Sequence, residues 1–269
     1  MAKQTQSLFL KLMLVAGVSL AYISNAFAEA DPKLWPVVKE AFFAKRDIQD
    51  VEFIKIDAPR RAESGAQVPV TFSYDKSAAN GVDIKKIYVL VDANPIQLAA
   101  IYNLTDMLGN FQLSTRIRME TDSFVRLVGE SADGKLYMAK REIRAAGGCG
   151  GTVDNDESAV RAAAGKIKLH VDAPVKFGSP AVATFNIRHV MRTGLQRDLV
   201  SQGYVPAFYI NKAAFTYNGK PLMTVDVGVG TSEDPYYKFN FTPDAPGVLE
   251  VTATDNEGKS FMQQLDVKG

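Results

Sequence analysis

Phe111-Gln112-Leu113-Ser114-Thr115-Arg116-Ile117-Arg118-Met119 alternates apolar or β-favouring side chains with polar ones. Successive side chains of an extended chain point to opposite faces, so this run predicts a strand with one buried face and Arg116 and Arg118 on the other. Leu249, Val251 and Ala253 alternate with Glu250, Thr252 and Thr254 in the same way. Asp133-Gly134 and Asn218-Gly219 fall between such runs, where tight hairpins need positive φ. The chain therefore reads as all-β, built from short antiparallel strands.

Landmarks recur around these strands. Ile56-Asp57-Ala58-Pro59 returns as Val171-Asp172-Ala173-Pro174, and the strand-like Val70-Thr71-Phe72 returns as Ala183-Thr184-Phe185. Gly134-Lys135-Leu136-Tyr137-Met138 is echoed by Gly258-Lys259-Ser260-Phe261-Met262, and Ile143 and Val267 close both segments at the same 124-residue offset. Two copies of one small domain, each an immunoglobulin-like β-sandwich, explain this pattern. Met138 and Met262, at equivalent positions, read as core filling.

One helix precedes the first copy, with Asp31 as cap, Pro32 in the first turn and Leu34, Val37, Val38, Ala41 and Phe42 on one face. That stripe, with Trp35 beside it, is expected to pack on the first sandwich. Residues 147–165 combine glycines, the acidic run Asp154-Asn155-Asp156-Glu157 and an alanine cluster, which predicts a linker with a short helix from Glu157 to Ala164. The expected layout is residues 1–28, 29–146, 147–165 and 166–269: leader, first sandwich, linker, second sandwich.

The leader is read from Lys3 and Lys11, the apolar run Leu12 to Ile23 and the small-residue site Ala26-Phe27-Ala28. The run is shorter than the roughly 20 residues of a spanning helix, so cleavage after Ala28 and export to an oxidising compartment such as a bacterial periplasm are expected. Without the leader, 29 basic residues face 30 acidic ones, which excludes the basic excess of nucleic-acid binders.

Cys149 is the only cysteine, set in Gly147-Gly148-Cys149-Gly150-Gly151. Glycine samples positive φ freely, and no bulky apolar residue stands within two positions to bury the thiol. The expectation is an exposed, mobile, reactive sulfur on a flexible arm of Gly147, Gly148, Gly150 and Gly151. A single thiol cannot close an internal disulfide, so it stays free, pairs with another chain or carries an adduct. Arg141 and Arg144 lie upstream of it, and Asp154, Asp156 and Glu157 downstream would oppose its ionisation.

These residues bring a family into view. From the Trp35 helix through Ser114-Thr115-Arg116-Ile117-Arg118 and Tyr137-Met138-Ala139-Lys140 to the glycine-flanked cysteine, the first half resembles the Y subunit of the SoxYZ sulfur-compound carriers. The second half resembles the Z subunit through His189-Val190-Met191-Arg192-Thr193-Gly194-Leu195, Val205-Pro206-Ala207, Tyr217-Asn218-Gly219-Lys220, Asp234-Pro235-Tyr236 and Asp255-Asn256. The family more often has proline and glutamate where this chain has Val190 and Arg192. In that family the cysteine holds sulfur intermediates covalently while partner enzymes act on them. Here 118 residues follow Gly151, so the arm is tethered at both ends. That layout resembles the single-chain SoxYZ-like carriers associated with quinoprotein dehydrogenases.

The resemblance implies a periplasmic carrier, not an enzyme, with Cys149 bearing a thiosulfonate or persulfide. It needs no cofactor beyond that adduct, and its implied partners are exported redox enzymes and cytochromes, a quinoprotein dehydrogenase among them. No Ser/His/Asp set, zinc spacing or phosphate loop appears in the sequence. His189 and Met191 suit copper, but one His-x-Met does not complete a coordination shell. A surface loop or a satisfied interface histidine is the simpler reading of His189. The alternative from another class is an accessory or assembly module of a quinoprotein dehydrogenase system in which the thiol is dispensable.

Overall fold

The computed structural model describes residues 29–153 and 156–269. The expected leader and the Asp154-Asn155 pair lie outside the described residues. Helix α1 (Trp35–Phe43) comes first, preceded by a single tight turn that Asp31 caps by accepting from the Lys33 N–H at 2.9 Å. The first half continues with β1 (Ile48–Asp50), β2 (Ile54–Asp57), β3 (Val68–Tyr74), β4 (Ile84–Val91), β5 (Leu98–Leu104), β6 (Phe111–Ile117), β7 (Ser123–Ser131) and β8 (Leu136–Ile143). A connecting segment carries β9 (Thr152–Val153) and α2 (Glu157–Ala163). The second half holds β10 (Ile167–Val171), β11 (Ala181–Ile187), β12 (Arg197–Asp198), β13 (Ile210–Tyr217), β14 (Lys220–Val227), β15 (Tyr236–Phe241), β16 (Gly247–Asp255) and β17 (Ser260–Val267).

The two halves share both of their sheets. One sheet runs β1-β8-β7-β4-β5-β14-β13-β16-β17 and the other β10-β11-β15-β6-β3-β2. Apart from β1, which has no counterpart, each order reads the same outward from the middle once repeat partners are equated, β5 with β14 and β6 with β15, so the halves meet as pseudo-symmetric copies. The seam is antiparallel pairing, Leu104 to Met223 through Ala100 to Val227 in one sheet and Leu113 with Phe239 in the other. Open sheet edges carry unpaired N–H and C=O groups, and joining two such edges satisfies them. Between the sheets one apolar core runs across the seam, where Tyr237 meets Tyr102 edge to face at 6.0 Å and stacks on Phe185 at 5.7 Å. Such ring pairs contribute about 0.5–1.5 kcal/mol beyond their buried area.

The fold is all-β with immunoglobulin-like sandwich layers and a short N-terminal helix, as the strand periodicity indicates. Asn218-Gly219, both at positive φ, turns the β13–β14 hairpin, and Asp133-Gly134 turns β7 into β8. Two side-chain assignments are corrected. Helix α1 buries Val38 and Phe43, with Trp35 half-buried, against Leu90, Val128, Leu136 and Met138, whereas Val37, Ala41 and Phe42 face outward. Its short axis and the Trp35 ring, stacked at 4.2 Å on the Arg126 guanidinium, set the rotation. Met138 is buried, but Met262 is 62 % exposed, because β17 is the edge of its sheet and no described helix covers that face.

Candidate functional site around Cys149

Strand β8 ends at Ile143 and the chain runs on to Cys149 along the edge of the first half. A crossing loop flanks it, with the Ala62 N–H donating to the Arg144 carbonyl at 2.8 Å and the Gly65 N–H to the Ala146 carbonyl at 3.1 Å. On the other side lies the turn after β6. The Gly148 N–H donates to the Met119 carbonyl at 3.0 Å and the Gly147 N–H to the Glu120 carbonyl at 2.9 Å. The Glu120 carboxylate then accepts from the Cys149 N–H at 2.7 Å and the Gly150 N–H at 3.3 Å. From the second half, the Thr193 hydroxyl donates to the Cys149 carbonyl at 2.8 Å. Past the cysteine, β9 pairs in parallel with β12, so the segment is docked on both halves.

The expected exposed sulfur is thereby corrected: Cys149 is 5 % exposed, and its backbone N–H and carbonyl are both hydrogen-bonded, to Glu120 and to Thr193. The glycines serve geometry here. A Cβ at Gly148 would lie 2.1 Å from the Gly65 carbonyl oxygen and 2.5 Å from that of Met119, so glycine is required for close approach. Gly147 and Gly151 stand at φ +75° and +105°, which L side chains rarely adopt. Only Gly150 has neither constraint. Yet Cys149 belongs to neither apolar cluster of the described residues.

Burial pushes the thiol up to about 11, with the Glu120 carboxylate adding to the rise and the Arg118 guanidinium opposing it. At neutral pH the sulfur is therefore a protonated thiol. The charges that matter are not those nearest in sequence. Arg141 and Arg144 line a separate cleft of about 240 Å³ with Arg60 and Lys140. Asp156 caps α2 by accepting from the Ser158 and Ala159 N–H groups, and Glu157 accepts from buried Arg192 at 2.6 Å.

Arg118, Glu120 and Thr193 are the site residues that periodicity misses. The alternation of β6 points Arg118 outward, but the strand ends at Ile117 and the Arg118 N–H donates to the Gly230 carbonyl of the second half at 2.7 Å. Its side chain is turned into the junction and left 4 % exposed. Nη1 donates to the Met191 carbonyl at 2.7 Å, and that carbonyl belongs to the same loop as Thr193.

His189 is not on a surface loop. It is 1 % exposed against the Phe208 ring, and burial holds it at about 4, below the usual imidazole range. Its Nδ1 accepts from the Met191 N–H at 3.2 Å, while the Met191 sulfur accepts from the Ile210 N–H at 3.3 Å. The His-x-Met pair is thus engaged in local structure. Among the described residues no group of three or more His, Cys, Asp or Glu is placed to hold a metal ion, and no helix is long and apolar enough to cross a membrane. A cavity of about 700 Å³ on the six-stranded sheet, lined by Thr71, Ser114, Arg116, Asn186 and Tyr236 among others, does not include the cysteine.

Comparison with known proteins divides the chain at this site. Residues 39–149 match the family model of sulfur oxidation protein SoxY, ending on the cysteine itself, and residues 167–266 match that of sulphur oxidation protein SoxZ. No curated protein matches the chain. Among solved structures, the sulfur carrier protein SoxY from Chlorobium limicola f thiosulfatophilum is 28 % identical, covering 43 % of this chain and 98 % of its own, with a TM-score of 0.36. A superoxide reductase (neelaredoxin) from Ignicoccus hospitalis is 18 % identical over 40 % of this chain and 82 % of its own, with a TM-score of 0.29. With one matched region following the other along a shared pair of sheets, the chain belongs to the SoxY and SoxZ families of sulfur oxidation proteins, one domain of each in a single polypeptide.

Proposed function

We propose that this protein is an exported covalent carrier that holds a sulfur-containing intermediate on Cys149 and presents it to partner redox enzymes. The observation that carries the reading is the placement of the chain's only thiol at the end of the SoxY match, held at the junction of the halves by backbone hydrogen bonds and not by core packing. A neutral, covered thiol suits a handle that is inert at rest. A partner that draws the 147–151 segment away from Glu120 and Thr193 restores solvent and lowers the ionisation midpoint toward that of a free thiol, near about 8.5. The periplasm is the compartment proposed, and exported redox enzymes and cytochromes, including a quinoprotein dehydrogenase system, are the proposed partners. The chain performs no chemistry alone; the partners supply it.

The accessory-module reading draws support from the same burial, since a covered thiol has no evident task in a scaffold. Cys149→Ser separates the two. The carrier reading requires complete loss of sulfur-compound oxidation in cells producing the variant, with an unchanged far-ultraviolet dichroism spectrum and melting temperature. Retained oxidation would discard it.

A further inference from the structure

Each half has a cleft at the same place in the repeat, and the two are lined differently. In the second half it measures about 540 Å³, with Val171, Ala173, Val175, Leu265 and Val267 in its lining. In the first it measures about 240 Å³ and is lined by Arg60, Lys140, Arg141, Glu142 and Arg144. The ladders give the correspondence: Val125 is opposite Arg141 across β7 and β8, and Leu249, at the 124-residue offset, is opposite Leu265 across β16 and β17. Arg60 follows Ala58-Pro59 as Val175 follows Ala173-Pro174.

Arg141 stands in the core-facing phase of its strand. Tyr137, Ala139 and Ile143, on the same face of β8, belong to the main apolar cluster, and Leu265 packs on that cluster from β17. An arginine there makes one hydrogen bond, Nη2 to the Ala58 carbonyl at 3.2 Å, while its Nε is buried with no partner among the described residues. A buried donor left unpaired is costly, and leucine in the other copy avoids that cost. Departures of this kind from the local rule gather at functional sites.

The neighbouring groups favour an anion. Arg60, Lys140 and Arg144 add three cations to the lining against one acid, Glu142, and Asp50 reaches Lys140 at 3.6 Å. β8 bonds off this edge through alternate residues, the Met138 carbonyl accepting from the Val51 N–H at 3.0 Å and the Arg144 N–H donating to the Arg60 carbonyl at 2.9 Å. Between those points β1 has ended, so the Lys140 and Glu142 N–H groups point off the same edge with no described strand beside them. We propose that this cleft is a noncovalent binding site for a small doubly charged oxyanion of the sulfate or phosphate class, with Arg141 and Arg60 as its principal donors. Guanidinium groups stay charged at physiological pH and match such oxygens with paired N–H donors. The site stands apart from Cys149, which is not in its lining, and does not depend on the carrier reading.

Sodium sulfate is titrated into the folded protein at constant ionic strength, chloride making up the balance, while backbone amide and arginine Nε–H resonances are followed by NMR. Saturable shifts confined to the Arg60, Arg141 and Arg144 region, with half-saturation near about 1 mM, are expected. Arg141→Leu installs the residue of the other copy and removes the orphan donor. It should keep the wild-type melting temperature in sulfate-free buffer yet bind sulfate at least about tenfold more weakly, the loss of a charge-assisted hydrogen bond. Shifts that grow linearly, or that spread equally over basic residues elsewhere, mean an adventitious ion only and overturn the proposal. So does Arg141→Leu binding as tightly as wild type, or melting well below it, which would make Arg141 structural. Binding of glutarate but not of sulfate would assign the cleft to carboxylates and overturn it too. If Arg141→Leu does not fold, the wild-type titration decides alone.

Discussion

Glu120→Ala removes the carboxylate that accepts from the Cys149 N–H at 2.7 Å and the Gly150 N–H at 3.3 Å. A hydrogen bond to a charged group contributes about 1.5–3 kcal/mol, and the shorter of the two should carry most of the effect. A loss of about 2 kcal/mol from the docked state raises the population of the undocked segment roughly 30-fold, at about 1.4 kcal/mol per tenfold. The substitution also removes the negative neighbour that helps hold the thiol at about 11. In the wild type, a midpoint near 11 in place of the free thiol's about 8.5 leaves roughly 300-fold less thiolate at neutral pH than a free cysteine would have. The assay is iodoacetamide alkylation followed by mass spectrometry across pH, with urea-unfolded protein as the reference. Wild type should alkylate at least about 300-fold more slowly than the reference, and Glu120→Ala should recover roughly 30-fold of that with a lower midpoint. If folded wild type alkylates as fast as the unfolded reference, or the variant matches the wild type, the docked thiol described here is wrong.

Gly148→Ala should undock the segment and speed alkylation, because its Cβ meets two backbone carbonyls at 2.1 and 2.5 Å, whereas Gly150→Ala should leave the rate within a factor of about two; equal behaviour of the two variants would refute the close-approach role. His189 stays neutral in the fold down to about 4 while the unfolded chain protonates near 6.5, so stability should fall as pH drops through that window, by up to about 3 kcal/mol. His189→Gln should flatten that acid limb in urea titrations, and an unchanged slope would assign it to other groups. Asp92→Ala strands Arg126, whose guanidinium pairs with Asp92 at 2.8 Å with both side chains buried, and should cost about 3–5 kcal/mol. A loss under about 1 kcal/mol would show that water reaches the pair.

The strands and the repeat were legible because their signals are local. Alternation over Phe111–Ile117, the Asn218-Gly219 turn and the 124-residue offset each depend on a few neighbouring residues. The joining of sheets was not legible, since pairing of Leu104 with Met223 is a choice between edges that are far apart in sequence. The candidate site divides in the same way. Cys149 is found from composition alone, but its environment is assembled from residues 118–120, 147–151 and 190–193, which no spacing links. Glycine misleads because the absence of a Cβ serves mobility and close approach equally well. Gly148 turns out to serve the second, as the Gly65 and Met119 carbonyls show. Arg118 was hidden by its own regularity. It occupies the polar phase of an alternation that ends one residue before it. In Met262 the repeat misled, since an equivalent position in the second copy lies on an edge strand with no described helix packed over it.

Intact-mass spectrometry of the protein purified, without reductant, from its native cells oxidising a reduced sulfur compound tests the covalent role of Cys149 most directly. A population heavier by whole sulfur or sulfonate increments, confined to the peptide containing Cys149 and removed by a thiol reductant, is the expected result. A single species at the mass of the bare chain, the same with and without the sulfur compound, would contradict it.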